Sequence, residues 1–163
     1  MEKLESIATI FALVGGILSV IFAVWGVYRE WDLSRKEKAE ELLNTLVDDL
    51  GEHFIHIEDT HGWNIINDHR NFSEVTDGAD PEQLLALQRA VRKLLRQLES
   101  ISIRIKHGLL DEQICKDYMA SISVQVLENC KPFIDSERLH RSDNRIFEHF
   151  ERTANRWRLS ITQ

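Results

Sequence analysis

Residues 7–27 form a run of twenty-one residues without a charged side chain, and twelve of them are Ile, Leu, Val or Phe. As a helix this run reaches roughly 31 Å, about the hydrocarbon thickness of a bilayer. Those twelve side chains favour insertion by about 4 to 7 kcal/mol, an upper bound because most lie off the bilayer centre. The segment has no polar face, so it does not read as an interfacial helix. Few helices of a soluble core stay apolar on every side for six turns. Its start carries Glu2, Lys3 and Glu5 and its far end reads Trp25-Gly26-Val27-Tyr28-Arg29, which does not suit a cleaved leader. The expectation is a single membrane-spanning helix.

The flanks orient it. Only Lys3 is basic before the run, whereas Arg29, Arg35, Lys36 and Lys38 follow it, so the C-terminal side is expected to be cytoplasmic and the N-terminus outside. Trp25, Tyr28 and Trp31 cluster where an aromatic belt would sit. Within the run, Ala8, Ala12, Gly15 or Gly16, Ser19, Ala23 and Gly26 recur at alternating steps of three and four, forming one seam of small residues. Such a seam lets two helix backbones approach closely, so a homo-oligomer packed through it is expected.

The expected layout is a tail at 1–6, a transmembrane helix at 7–28, a juxtamembrane stalk at 29–41 and a cytoplasmic helical domain at 42–163. Seven Gly and two Pro in 163 residues leave few turns, which favours an all-α chain with a bundle of three or four helices. The net charge of −7 argues against nonspecific binding to nucleic acid. Cys115 and Cys130 are the only cysteines, and their positions on or beside apolar helix faces mark them as small buried hydrophobes. His53, His56, Glu58, Asp59 and His61 are the densest set of potential metal ligands, but they match no strong metal spacing, and neither metal nor cofactor is expected.

No Gly or Pro interrupts 28–50, so the spanning helix is expected to run on into the domain, with Ala39, Leu43, Leu46, Leu50, Phe54 and Ile57 as its apolar stripe. Trp63 to Ile66 should fold back onto the bundle, and 71–80 reads as a loop. Asp80-Pro81 then starts a helix with Leu84, Leu87, Val91, Leu94, Leu98, Ile101 and Ile105 inward, ending before Gly108. Asp111 starts the next, with Ile114, Cys115, Tyr118, Met119, Ile122, Val126 and Cys130 inward, expected to close near Pro132. After a connection, Ser142 or Asp143 is expected to cap a last helix carrying Ile146, Phe147, Phe150, Ala154 and Trp157.

Two basic clusters are the candidate anion-binding residues. Arg89, Arg92, Lys93 and Arg96 lie opposite the apolar seam of their helix, with Arg104 and His107 further along the same side. Arg138, His140, Arg141 and Arg145 gather near the last turn. The competing reading is a solvated face whose cations pair with acidic neighbours. No Gly-rich phosphate loop, nucleophile elbow or paired-carboxylate motif appears, so an enzyme is not expected.

Leu98-Glu99, Gly108-Leu109-Leu110-Asp111-Glu112, Phe133-Ile134, Phe147-Glu148 and Trp157 together give the last eighty or so residues a pattern that resembles a widespread family of small bacterial single-pass membrane proteins. Their cytoplasmic helical domain has no assigned function. The resemblance implies the architecture and a bacterial inner-membrane location, and supplies no active residues. In layout alone the chain is similar to antiviral membrane effectors, including those of type III CRISPR systems gated by cyclic oligoadenylates. The expected function is a membrane-anchored, self-associating signalling or defence effector that senses an anionic ligand, such as a cyclic oligonucleotide, and perturbs the bilayer. The alternative is a scaffold that docks a protein partner.

Overall fold

The computed structural model describes the backbone of residues 2–161, and the side chains of these apart from 2–18, 20, 21, 39, 42, 43, 46, 47 and 161. The chain is all-α. Helix α1 spans Glu2–His61, α2 Phe72–Thr76, α3 Pro81–Lys106, α4 Glu112–Arg141 and α5 Glu148–Ile161. Among the described residues no helix is long and apolar enough to cross a membrane. Most of the expected span, including Ala8, Ala12, Gly15 and Gly16 of the small-residue seam, lies outside the described side chains.

The four long helices form the bundle, with α5 packed on α3 and α4, and α1 entering late through Leu50 and Ile57. As expected from their 3.6-residue spacing, Leu87, Val91, Leu94, Leu98, Ile101 and Ile105 of α3 face the core. Trp63 and Ile65 are fully buried, so the 63–66 patch does fold back. Buried Asn129 holds it there by donating from Nδ2 to the carbonyls of Ile65 and Asp68 at 2.9 and 3.0 Å. The indole of Trp63 donates to the Arg70 carbonyl at 3.1 Å and meets Phe72 edge-on, and Phe72 leans on Phe133.

Four local expectations change. The 71–80 segment contains α2, nucleated by a capping box in which Asn71 accepts from the amides of Ser73 and Glu74 while Glu74 accepts from the Asn71 amide. Helix α4 does not close at Pro132 but continues to Arg141. An interior proline costs about 3 kcal/mol. Continuing the helix, however, buries Phe133 and Ile134, each 2% exposed or less and each worth about 1.5–3 kcal/mol. Burial wins. Tyr118 is 66% exposed, because the inward face of α4 is centred on Met119, Ser123, Val126 and Cys130, leaving Tyr118 beyond its edge.

Lastly, Ser142 does not cap α5. It takes a left-handed conformation (φ 51°) that ends α4, and α5 begins only at Glu148. Its cap comes from α3 instead: the Glu99 carboxylate accepts from the amides of His149 and Phe150 at 3.3 and 2.7 Å. The same carboxylate lies 2.9 Å from His149 Nδ1, while Lys106 Nζ lies 3.0 Å from Nε2. That geometry suits a neutral ring that donates to Glu99 and accepts from Lys106.

Candidate functional site

The two basic clusters come together at Glu137. Its Oε1 and Oε2 receive Arg92 Nη2 and Nε at 2.7 and 3.1 Å, and Arg141 Nη2 lies 3.4 Å from Oε2. The Arg92 guanidinium also sits 5.7 Å from the centre of the Phe133 ring. Because the guanidinium hydrogen-bonds it, the Glu137 carboxyl is held below its ordinary value. The meeting point of the clusters is thus filled by a carboxylate of the chain itself.

The rest of the second cluster is largely paired. Arg138 reaches Glu151 at 2.7 Å and donates from Nε to the Ile146 carbonyl. Glu151 also takes Lys131 at 2.8 Å, and its carboxyl stays below the usual value because these two cations outweigh its burial. Arg145 pairs with Asp143, and His140 is exposed. This side of the bundle matches the solvated, internally paired reading.

The first cluster divides. Arg92 is committed to Glu137, but Arg89, Lys93 and Arg96 are exposed, and none has a carboxylate within ion-pair distance among the described residues. With Arg104 and His107 they form a stripe on α3 that runs beside α1. At one end Lys93 is close enough to His53 of α1 to affect its charge: burial first, and then the Lys93 ammonium, hold the His53 imidazole below its ordinary value. At the other end Arg104 shares a groove with Lys38, Glu41 and Thr45 of α1 and with Leu109 and Leu110. The cations of this stripe are not neutralised by a carboxylate among the described residues.

Where the apolar run passes into the stalk, α1 exposes Phe22, Trp25, Val27, Tyr28 and Trp31, each more than half exposed. Arg29 lies 5.5 Å from the Trp25 ring centre and Arg35 lies 4.4 Å from that of Trp31. Single exposed apolar residues are ordinary, but a contiguous aromatic and aliphatic band on one helix marks an interaction surface. Of the small-residue seam, Ser19, Ala23 and Gly26 are described, and Ala23 and Gly26 are exposed. Among the described residues no group of three or more His, Cys, Asp or Glu is placed to hold a metal. Both cysteines are free and buried.

The family described as "Domain of unknown function (DUF4760)" matches residues 13–157, covering most of the apolar run, the stalk, α2, α3 and α4, and α5 as far as Trp157. No curated protein matches, and neither does any solved structure.

Proposed function

This chain belongs to the DUF4760 family, and we propose that it is a membrane-anchored, self-associating signalling module. Its bundle senses an anionic ligand, with a nucleotide second messenger as the leading class, and acts on the bilayer through α1. A defence effector is one form of such a module. In this reading the apolar run crosses the bacterial inner membrane with the bundle in the cytoplasm, and Arg89, Lys93 and Arg96 receive the ligand.

One observation carries the reading: α1 is a single helix that bears the exposed aromatic band in its N-terminal half and supplies Leu50 and Ile57 to the core from its C-terminal end. A continuous helix leaves no joint to absorb a change in the bundle before it reaches the band. Coupling then requires only that the ligand prefer one arrangement of α1 over another.

The test has two parts. Full-length protein should remain in the membrane fraction after alkaline extraction. In detergent, its melting temperature should rise with a nucleotide second messenger and not with equal ionic strength of chloride, and the Lys93→Glu, Arg96→Glu variant should lose the rise. Recovery in the soluble fraction overturns the anchor, and no stabilisation by any nucleotide overturns the ligand.

A second reading is a scaffold that docks a protein partner without a small ligand, with Leu139, 83% exposed near the end of α4, as its candidate contact. It requires a stoichiometric protein to copurify from cells and to be lost on Leu139→Asp substitution.

A further inference from the structure

The α3–α4 corner is built to hold one leucine out of the core beside two cations. Helix α3 ends in a Schellman motif: the Gly108 amide donates to the Ile105 carbonyl at 2.9 Å, and the Leu109 amide to the Arg104 carbonyl at 2.9 Å. Gly108 takes φ +67°, which a glycine adopts without strain. In this motif the residue after the glycine usually packs on an apolar side chain about one turn back; the two positions there are Arg104 and Ile103, the latter 37% exposed. Leu110 turns into the core, whereas Leu109 stays 59% exposed.

Leu109 and Arg104 line a groove of about 410 Å³ whose other wall is Lys38, Glu41 and Thr45 of α1. Neither Lys38 nor Arg104 has a carboxylate within ion-pair distance among the described residues. Elsewhere Arg92, Lys131, Arg138, Arg141, Arg152 and Arg156 are all paired with acids. Lys38 and Arg104 are thus left without an acid, as Arg89, Lys93 and Arg96 are further along α3, and they face one groove from opposite walls, with Glu41 beside Lys38.

The corner also lies next to the aromatic band. Arg35, stacked on Trp31, comes within 4.0 Å of where a side chain on Gly108 would begin. Lys38 follows Trp31 by seven positions, about 10 Å along the helix. The headgroup layer extends roughly 5–8 Å beyond the hydrocarbon on each side, so a belt at Trp31 puts the groove at its cytoplasmic edge.

We propose that this groove holds the phosphate headgroup of an anionic phospholipid, with Lys38 and Arg104 on the phosphate and Leu109 against the lipid surface. The assignment rests on the membrane anchor proposed above. It goes beyond that reading by giving the bundle its own contact with lipid. Charge complementarity favours this occupant, because basic residues just inside a span meet a cytoplasmic leaflet rich in acidic lipids.

The experiment reconstitutes full-length protein in nanodiscs of phosphatidylcholine alone or mixed with phosphatidylglycerol. A polarity-sensitive fluorophore is attached at Leu109→Cys, the two native thiols being buried. Emission should shift to the blue in the anionic discs only, and the Lys38→Gln, Arg104→Gln variant, both at exposed positions, should lose the shift while keeping its helical circular dichroism. An equal shift in both lipids, or no shift in either, overturns the headgroup site. A shift produced by inorganic phosphate in detergent makes the ligand a free anion and also overturns it. Coelution of protein with discs is scored separately: failure to coelute removes the anchor itself, whereas coelution without a shift removes only the groove.

Discussion

Arg92 and Glu137 are joined by two parallel hydrogen bonds, at 2.7 and 3.1 Å, linking the middle of α3 to the C-terminal part of α4. Both side chains are less than a quarter exposed, so the pair is worth more than a solvated ion pair.

Arg92→Gln should therefore destabilise the bundle by about 2 kcal/mol, because it leaves a largely buried carboxylate short of its partner. A denaturant midpoint would show this, and the Arg92→Gln, Glu137→Gln double variant should recover part of the loss. The sign with pH follows from the lowered Glu137 value. As pH falls, the unfolded chain takes up the proton first, so the pair's contribution is fully present above the ordinary carboxylate value of 4.5 and is lost as pH drops through the folded one. The single variant should show a shallower acid loss than the parent.

Glu99→Ala should loosen α5 from its start. Removing a cap costs roughly 1 to 2 kcal/mol, and two amide donors depend on this carboxylate. Hydrogen exchange at His149 and Phe150 should accelerate well beyond that at Cys130 in the middle of α4.

The charge on the α3 stripe is felt at His53. Lys93 helps hold its imidazole below the ordinary value of 6.5, so Lys93→Gln should move its NMR titration to higher pH. An anion bound at Lys93 should move it the same way, whereas an anion bound only at the second cluster should leave it unchanged.

Both thiols should resist alkylation in the folded protein. Burial, reinforced by Asp111 and Glu112, pushes the Cys115 thiol up to about 11, and burial alone pushes Cys130 higher still. Labelling should proceed only as fast as the chain unfolds, with both sites reacting together on adding denaturant.

What could be read in advance was local. The inward faces of α3 and of most of α4 follow the 3.6-residue period, and the Asp80 and Asp111 caps lie within three residues of the amides they serve. The cap on α5 was hidden because Glu99 lies 51 residues from the Phe150 amide it accepts from. The end of α4 was misplaced because proline is read as a local stop, whereas the decision rests on what Phe133 and Ile134 gain across the bundle. The site is hidden for the same reason. Only if the helix passes Pro132 does Glu137 stand one turn before Arg141 and face Arg92, so the neutralisation of the two clusters depends on a contact no spacing reveals.

The length of α1 sets a mechanical scale. From Leu50 in the core to Phe22 in the exposed band is about 42 Å along the axis, so a rocking of the bundle by about 5° swings the band sideways by about 4 Å. That approaches a helix radius. A modest rearrangement among α3, α4 and α5 is amplified at the far end of the rod by leverage, with no moving joint required between them.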